Sequence, residues 1–287
     1  MQGIKGFTIA SVNSGFQKTG KSFEQIVKIC LDSGFAGLEG CYAMFEKLKE
    51  KELEDAGALF KKAGLVIETY HLPFADPVKD DISALYETDR KNVEYKMKRE
   101  IDRAVLLGSS IGILHPTTKN DCLTDEEGFP RLMEQLGKTL EALLRHCELY
   151  GFKLAVENML PGMGDRLGSN INHLKEIQRR YDHPQLGFCL DTGHALISHH
   201  EKAMDVFHFM KKKLIAFHLA DNAGDRDSHL APGHGRFFWK EFFREVKKLD
   251  YKGTMCIETP PFSYGPDYTV EAWKKMHDEV SALMNKA

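Results

Sequence analysis

Eight short β-rich runs alternate with eight amphipathic helical runs along the 287-residue chain, and no other feature limits its fold as tightly. The β-rich runs fall at 4–11, 37–40, 66–71, 111–116, 153–158, 186–191, 214–221 and 254–259. The helical patterns fall at about 22–33, 49–63, 88–107, 129–150, 169–181, 200–212, 238–249 and 269–285. In the first of these, Ser22 with Gln25 three residues on makes a capping-box start. Phe23, Ile26, Val27, Cys30 and Leu31 then recur along one helix face, and Gly34 stops the run. Leu132, Leu136, Leu140, Leu143, Leu144 and Cys147 form the same kind of stripe. Leu154-Ala155-Val156 is apolar on both faces, as suits a parallel strand covered by helices. Such units in a chain of this length predict an α/β fold, one closed (β/α)8 TIM barrel forming a single domain over 1–287. The alternative, an open doubly wound sheet, usually carries a glycine-rich dinucleotide turn after its first strand, and Val12-Asn13-Ser14-Gly15 is not one.

Composition narrows the partners. With 42% hydrophobic and 28% charged residues the chain is globular rather than disordered. No apolar run approaches the ~20 residues of a membrane span, and residues 1–6 lack the basic-then-apolar pattern of a signal peptide, so no membrane partner is expected. The net charge of −3 argues against nucleic acid as a partner, because duplex binders present a basic patch. Cys30, Cys41, Cys122, Cys147, Cys189 and Cys256 are scattered without a Cys-x-x-Cys pair. They read as buried core thiols in a reducing, cytoplasmic setting.

Polar residues gather at the C-terminal ends of the strand runs. The third run ends at His71, the fourth at His115, the fifth at Glu157, the sixth at Asp191 with His194 after it, the seventh at His218 and Asp221, and the eighth at Glu258. In a barrel all these ends open on one face, where active sites lie. A lone polar residue there commonly caps a helix. Six consecutive units ending in an acid or an imidazole fit a site better, because carboxylates flanked by apolar strand residues need partners. Glu157, Asp191, His218 and Glu258 supply three carboxylates and one imidazole, a hard donor set suited to one divalent metal such as Mn, Co, Mg or Zn. Without a cation, three converging negative charges repel one another.

Val-Glu-Asn at 156–158, Leu-Asp-Thr-Gly-His at 190–194, Phe-His-Leu-Ala-Asp at 217–221, Asp-Ser-His-Leu-Ala-Pro-Gly-His-Gly at 227–235 and Ile-Glu-Thr at 257–259 resemble the sugar phosphate isomerase/epimerase family of the xylose isomerase-like barrels. The resemblance covers nearly the whole chain, with its motifs in order. It implies that Glu157, Asp191, His218 and Glu258 hold one divalent metal and that Glu157 and Glu258 are the catalytic acid/base pair. In that chemistry one carboxylate removes a proton beside a carbonyl, the cation stabilises the enediolate, and the second carboxylate returns the proton. Return to the same carbon epimerises a sugar; return to the neighbouring carbon isomerises it. Inosose and dehydroshikimate dehydratases share the family, so loss of hydroxide is a further outcome. His71, His115 and His194 are expected to contact substrate. Glu39 is expected either to do the same or to form an ion pair. Ketose epimerases of this group keep an Arg soon after the strand-seven His. Here the first basic residue is Arg226, the substrate-binding candidate in that place, but it lies beyond Asn222-Ala223-Gly224-Asp225, which departs from the ketohexose pattern. A homodimer is common among such barrels, and nothing in the sequence fixes it.

The same superfamily contains endonuclease IV, a trinuclear zinc phosphodiesterase. Its ligand pattern maps onto His71, His115, Glu157, Asp191, His194, His218, Asp227, His229 and Glu258. Asp227 and His229 are therefore candidates for additional metal, two to three zinc ions in all. The slightly acidic balance and the stretch Cys41-Tyr42-Ala43-Met44-Phe45-Glu46, which lacks an Arg, oppose duplex binding, which needs several phosphate-contacting cations. A non-enzymatic sugar-binding barrel would leave the acid/base pair idle. Three other features invite a role. The glycine-rich 162–169 loop either holds a phosphate on its amides or is a plain loop capped by Ser169. Arg166 and Arg236 are candidate anion forks. Phe237, Phe238, Trp239, Phe262 and Tyr264 are expected to wall the pocket or seal a subunit contact. His146, His173, His183 and His277 are expected to be structural, His199-His200 to begin a helix, and His234 to lie on the active-face loop.

Overall fold

A computed structural model describes residues 3–119, 128–264 and 269–287. Eight parallel strands close a barrel in chain order: β1 (Gly6–Ala10), β2 (Gly37–Cys41), β3 (Thr69–His71), β4 (Ile111–Leu114), β5 (Lys153–Glu157), β6 (Leu186–Asp191), β7 (Leu214–Leu219) and β8 (Thr254–Ile257). Thr8 of β1 lies opposite both Gly37 of β2 and Cys256 of β8, which closes the ring. Around it run α1 (Phe23–Ser33), α2 (Tyr42–Phe45), α3 (Glu50–Lys62), α4 (Glu87–Leu106), α5 (Gly128–Glu148), α6 (Ile171–Arg180), α7 (Thr192–His199), α8 (Ala203–Met210), α9 (Trp239–Val246) and α10 (Val270–Lys286). The expected barrel is what forms.

Alternation along each strand builds the site's floor. Outward side chains such as Leu154, Val156 and Phe217 join the main core between strands and helices. Ile113, Ala155, Cys189 and Ala216 form a separate small apolar cluster. Two residues further along the same strands come His115, Glu157, Asp191 and His218. Because side chains on one face recur every second residue, these four stand directly above that floor. Register adds the lateral order: Asp191 pairs with His218 and Glu157 with Cys189.

Several local expectations change. α7 starts straight off β6, because the Asp191 side chain accepts the His194 N–H at 2.6 Å and caps the helix. His199 therefore ends α7 rather than beginning a helix, and His200, at φ +48°, marks the break before α8. α6 is capped by Asn170, which accepts from the Asn172 N–H at 2.9 Å, while the Ser169 hydroxyl donates to the Arg166 carbonyl. Val66 makes only an isolated bridge to Gly37, so β3 is shorter than the apolar run suggested. Phe237 and Trp239 are buried against Phe242 and do not wall the mouth. Cys30, Cys41, Cys147, Cys189 and Cys256 are buried free thiols. Cys122 and the Phe262 side chain lie outside the described residues. Among the described residues no helix is long and apolar enough to cross a membrane.

The segment between β7 and α9 is folded back by one buried acid. Asp221 and Leu230 exchange two backbone hydrogen bonds of 2.8 Å. The Asp221 carboxylate then accepts from the backbone N–H groups of Asn222, Gly233, Gly235 and Phe237 at 2.9–3.1 Å and from Trp239 Nε1 at 2.6 Å. Gly235 is required there, since a Cβ would sit 2.3 Å from an Asp221 oxygen. Asp221→Asn replaces an acceptor oxygen with a donor amide facing these N–H groups. It is expected to cost about 2–4 kcal/mol in denaturant unfolding; an unchanged midpoint would contradict this role.

Candidate metal centre

Side chains from seven strand ends meet above the floor. One donor atom each from Glu157, Asp191, His218 and Glu258 lies within 4.8 Å of the others, and all four residues are buried. His218 Nδ1 is 3.1 Å from Glu157 Oε1 and 3.1 Å from Glu258 Oε2. Its other nitrogen, Nε2, is 3.0 Å from Glu39 Oε1, and Glu39 Oε2 accepts the Thr69 hydroxyl at 2.7 Å. Glu39 thus settles as the backing partner of His218. An Nε2–H held by a carboxylate leaves Nδ1 as a metal ligand, a common support for metal-binding histidines.

The remaining histidines are oriented alike. Nδ1 of His71 meets the Leu72 carbonyl at 3.0 Å, Nδ1 of His194 the Asn158 carbonyl at 2.9 Å, and Nδ1 of His229 the Glu258 carbonyl at 2.8 Å. Each ring turns Nε2 toward a carboxylate: His71 to Glu157 Oε2 at 3.6 Å, His194 to Asp227 Oδ2 at 3.4 Å and His229 to Asp227 Oδ2 at 3.0 Å. His115 Nε2 is 3.1 Å from Glu157 Oε2. Hence His71, His115 and Glu157 form a second close donor group beside the first.

The electrostatics follow from burial opposed by imidazoles. Burial raises Glu258, but His218 and then His229 outweigh it and bring the group down to about 2. Glu157 is likewise held well below its ordinary value, burial being outweighed by His218, His115 and His71. Asp191 goes the other way: burial, reinforced by Glu258 and Glu157, exceeds the pull of His194 and pushes it up to about 7. Burial depresses His115 to about 4, whereas Asp191 and Asp227 overcome burial at His194 and lift it to about 10. Asp191 Oδ2 is buried with no hydrogen-bond donor. An orphaned carboxylate oxygen in an all-oxygen-and-imidazole set fits a divalent cation.

Residues to which the sequence pattern gives no role of their own hold the frame. Asn158 donates to the Asp191 carbonyl at 2.9 Å and accepts the Asp191 N–H at 2.8 Å, clamping β5 to β6. The Thr192 hydroxyl donates to the Ala220 carbonyl at 2.7 Å and accepts the Ala220 N–H at 3.0 Å, tying β6 to β7. Asn13, after β1, donates to Glu258 Oε1 at 3.4 Å and lies 3.3 Å from His229 Nδ1. Its only sequence signal is its place beyond a strand end. A cleft of about 330 Å³ opens beside it, lined by Ser11, Asn13, Gln17, Lys18, Asp227 and His229 among others. A larger hollow of about 530 Å³ lies at the opposite end of the strands, near Ile111, Lys153 and Leu214, and contains no site residue.

Other candidates fall away from the cluster. Arg226 is exposed at the rim, one residue before Asp227, and Arg236 is exposed as well. Arg166 is buried and donates to the Thr117 carbonyl at 2.9 Å. The 162–169 loop uses amides internally: Gly162 and Arg166 both donate to the Gly164 carbonyl, and Gly168 donates to His173 Nδ1. That favours the plain-loop alternative over a phosphate cradle. His234 pairs with Glu279 at 2.8 Å, and Tyr264 donates to the same carboxylate at 2.7 Å. His146 and His183 pair with Asp102 and Glu148, and His277 with Asp278, all away from the site.

Two expectations follow. Glu39→Gln keeps the shape but weakens the support of His218, so divalent-metal affinity measured against a fluorescent chelator should fall about 10-fold or more; unchanged affinity would refute that support. Asp191 must lose its proton to ligate, so metal uptake should release protons and its apparent affinity should fall as pH drops through 7. Titration calorimetry in buffers of different ionisation enthalpy reads this directly, and a flat profile between pH 6 and 8 would count against it.

Comparisons with known proteins agree with this architecture. A Synechocystis sp. protein named "Probable ketose 3-epimerase" is 25% identical over 79% of this chain and 74% of its own length. A Symbiobacterium thermophilum protein named "Probable endonuclease 4" is 29% identical over 60% of this chain and 66% of its own. The crystal structure of a D-tagatose 3-epimerase-like protein superposes with a TM-score of 0.78, covering 98% of each chain, and at 22% identity this is a likeness of fold. The family model described as the xylose isomerase-like TIM barrel matches residues 27–281, and the chain belongs to that family.

Proposed function

We propose that the protein is a divalent-metal-dependent isomerase or epimerase acting on a sugar, a sugar phosphate or a keto acid. The observation that carries this reading is the pair of buried, ionised carboxylates, Glu157 and Glu258, sharing His218 Nδ1 at 3.1 Å each. Glu157, Asp191, His218 and Glu258 are the residues to hold the cation. Bound there, a divalent ion supplies positive charge for the oxyanion that develops when carbon beside a carbonyl is deprotonated. Glu258, whose Oε1 faces Asn13 at the cleft, takes the carbon-bound proton. Glu157, also held ionised, serves as the second acid/base group. His71, His115 and His194 orient substrate hydroxyls.

A second reading has its own support. His71, His115 and Glu157 form a further donor group, and Asp227 sits between His194 and His229. This is the arrangement a multinuclear zinc phosphodiesterase would need. Against it stand the acidic balance and the apolar α2 after β2.

Elemental analysis of protein purified without a histidine tag separates the two. About one Mn, Co, Mg or Zn per chain is expected, together with exchange of a carbon-bound ketose proton in D₂O. Glu258→Gln should lower that exchange at least about 10²-fold. Two or three zinc ions per chain, lost in His71→Ala and His229→Ala and accompanied by cleavage of abasic-site DNA, would instead carry the second reading. No metal after repletion would overturn both.

A further inference from the structure

The barrel mouth opposite the metal centre holds the hollow of about 530 Å³. Ile111 and Ile215 line it and pack against the apolar cluster of Ile113, Ala155, Cys189 and Ala216, which separates it from the metal centre. Lys153 stands two residues before Ala155 and four before Glu157, on the face of β5 that they share. One strand thus carries a base to one mouth and an acid to the other. Lys211 and Lys212, just beyond α8, and Lys252, just before β8, line the same hollow. All four lysines are exposed.

Two acids share the lining, and both are already matched. Glu68 Oε1 is 2.6 Å from Lys5 Nζ, and Glu68 Oε2 accepts the Thr254 N–H at 2.6 Å and the Thr254 hydroxyl at 2.9 Å. Asp250 is 3.2 Å from Lys252. Lys213, next in the chain, is taken by Asp182. Among the described residues Lys153, Lys211 and Lys212 make no ion pair. Three unmatched ammoniums therefore surround one cavity of a chain whose net charge is −3. Helix C-termini also face this mouth, and cations offset their partial negative charge. α5, α8 and α9 carry Arg145 with His146, His208, and Arg244 in their own last turns, so the three lysines exceed that need.

A cavity of this volume is of the size that small ligands occupy, about 300–1,000 Å³. No arginine lines it. The guanidinium fork fits one oxyanion group at a time, whereas separate ammoniums are point charges that suit charge spread along a chain. We propose that this hollow is a binding site for an oligophosphate chain, either free or carried by a nucleotide. It is a site apart from the metal centre and does not depend on which reaction occurs there.

The test is equilibrium dialysis of the purified protein against sodium tripolyphosphate, orthophosphate and ATP at low ionic strength, with metal content measured before and after. One tripolyphosphate per chain should bind about tenfold or more tightly than orthophosphate, which reaches fewer ammoniums. Lys153→Met/Lys212→Met should remove that preference, and Lys153→Arg/Lys212→Arg should keep it. Lys47→Met/Lys240→Met makes the same change of charge on exposed lysines at the other end of the barrel and should leave it intact. Unchanged unfolding midpoints in both Met variants exclude misfolding. ATP binding more tightly than tripolyphosphate assigns the chain to a nucleotide, its base against Leu214, Leu249 and Tyr251; ATP binding no more tightly assigns it to free oligophosphate. Orthophosphate binding as tightly as tripolyphosphate, a preference intact in Lys153→Met/Lys212→Met, an equal loss in Lys47→Met/Lys240→Met, or no binding would each overturn the site.

Discussion

At the open end of the barrel, His218 is held between Glu39 on one nitrogen and Glu157 with Glu258 on the other. Like charges about 4 Å apart in a partly screened interior repel by about 4 kcal/mol per pair. Four buried acids, Glu39 included, are tolerable only because imidazoles alternate with them. Protons shared between acids and imidazoles offset the charge, with His194 and His218 held toward their charged form and Asp191 toward its neutral one. A divalent cation held by Glu157, Asp191, His218 and Glu258 would take over that balance.

The barrel makes that convergence possible at little local cost. His115, Glu157, Asp191 and His218 each stand two positions beyond an apolar floor residue, and the strand register sets neighbours side by side. What the strands leave adjustable, Asn158 and Thr192 fix with reciprocal bonds between side chain and main chain. Nδ1 bonds to carbonyls fix the ring planes of His71, His194 and His229. The result is a rigid inner shell beneath a cleft whose walls come from loops.

Much of this was legible in the sequence, for a physical reason. Parallel strands covered on both sides must be apolar runs, so an acid or histidine at the end of each run stands out. That contrast gave the barrel, the four-donor group and the extra candidates His71 and His115, while Asp227 and His229 came from the resemblance to endonuclease IV. It could not give Asn158, Thr192 or Asn13, whose roles depend on main-chain groups brought close only by the closed ring. α7 was hidden because its cap, Asp191, already had another reading as a site residue. Phe237 and Trp239 looked like pocket walls, since hydrophobicity does not say which side of a loop a ring takes. Arg166 looked like an anion fork and proved a strut, because a guanidinium serves a carbonyl as readily as a phosphate.

The Asp221 staple has a wider consequence. It grips the β7–α9 segment mostly through backbone N–H groups, which every residue but proline possesses. The exposed side chains in its middle, Ala223, Asp225 and Arg226, therefore contribute little to how the segment is anchored. Such a segment behaves as an exchangeable cassette. Its exposed positions can drift between lineages and recast what the mouth accepts, while the fold and the inner ligands are inherited intact.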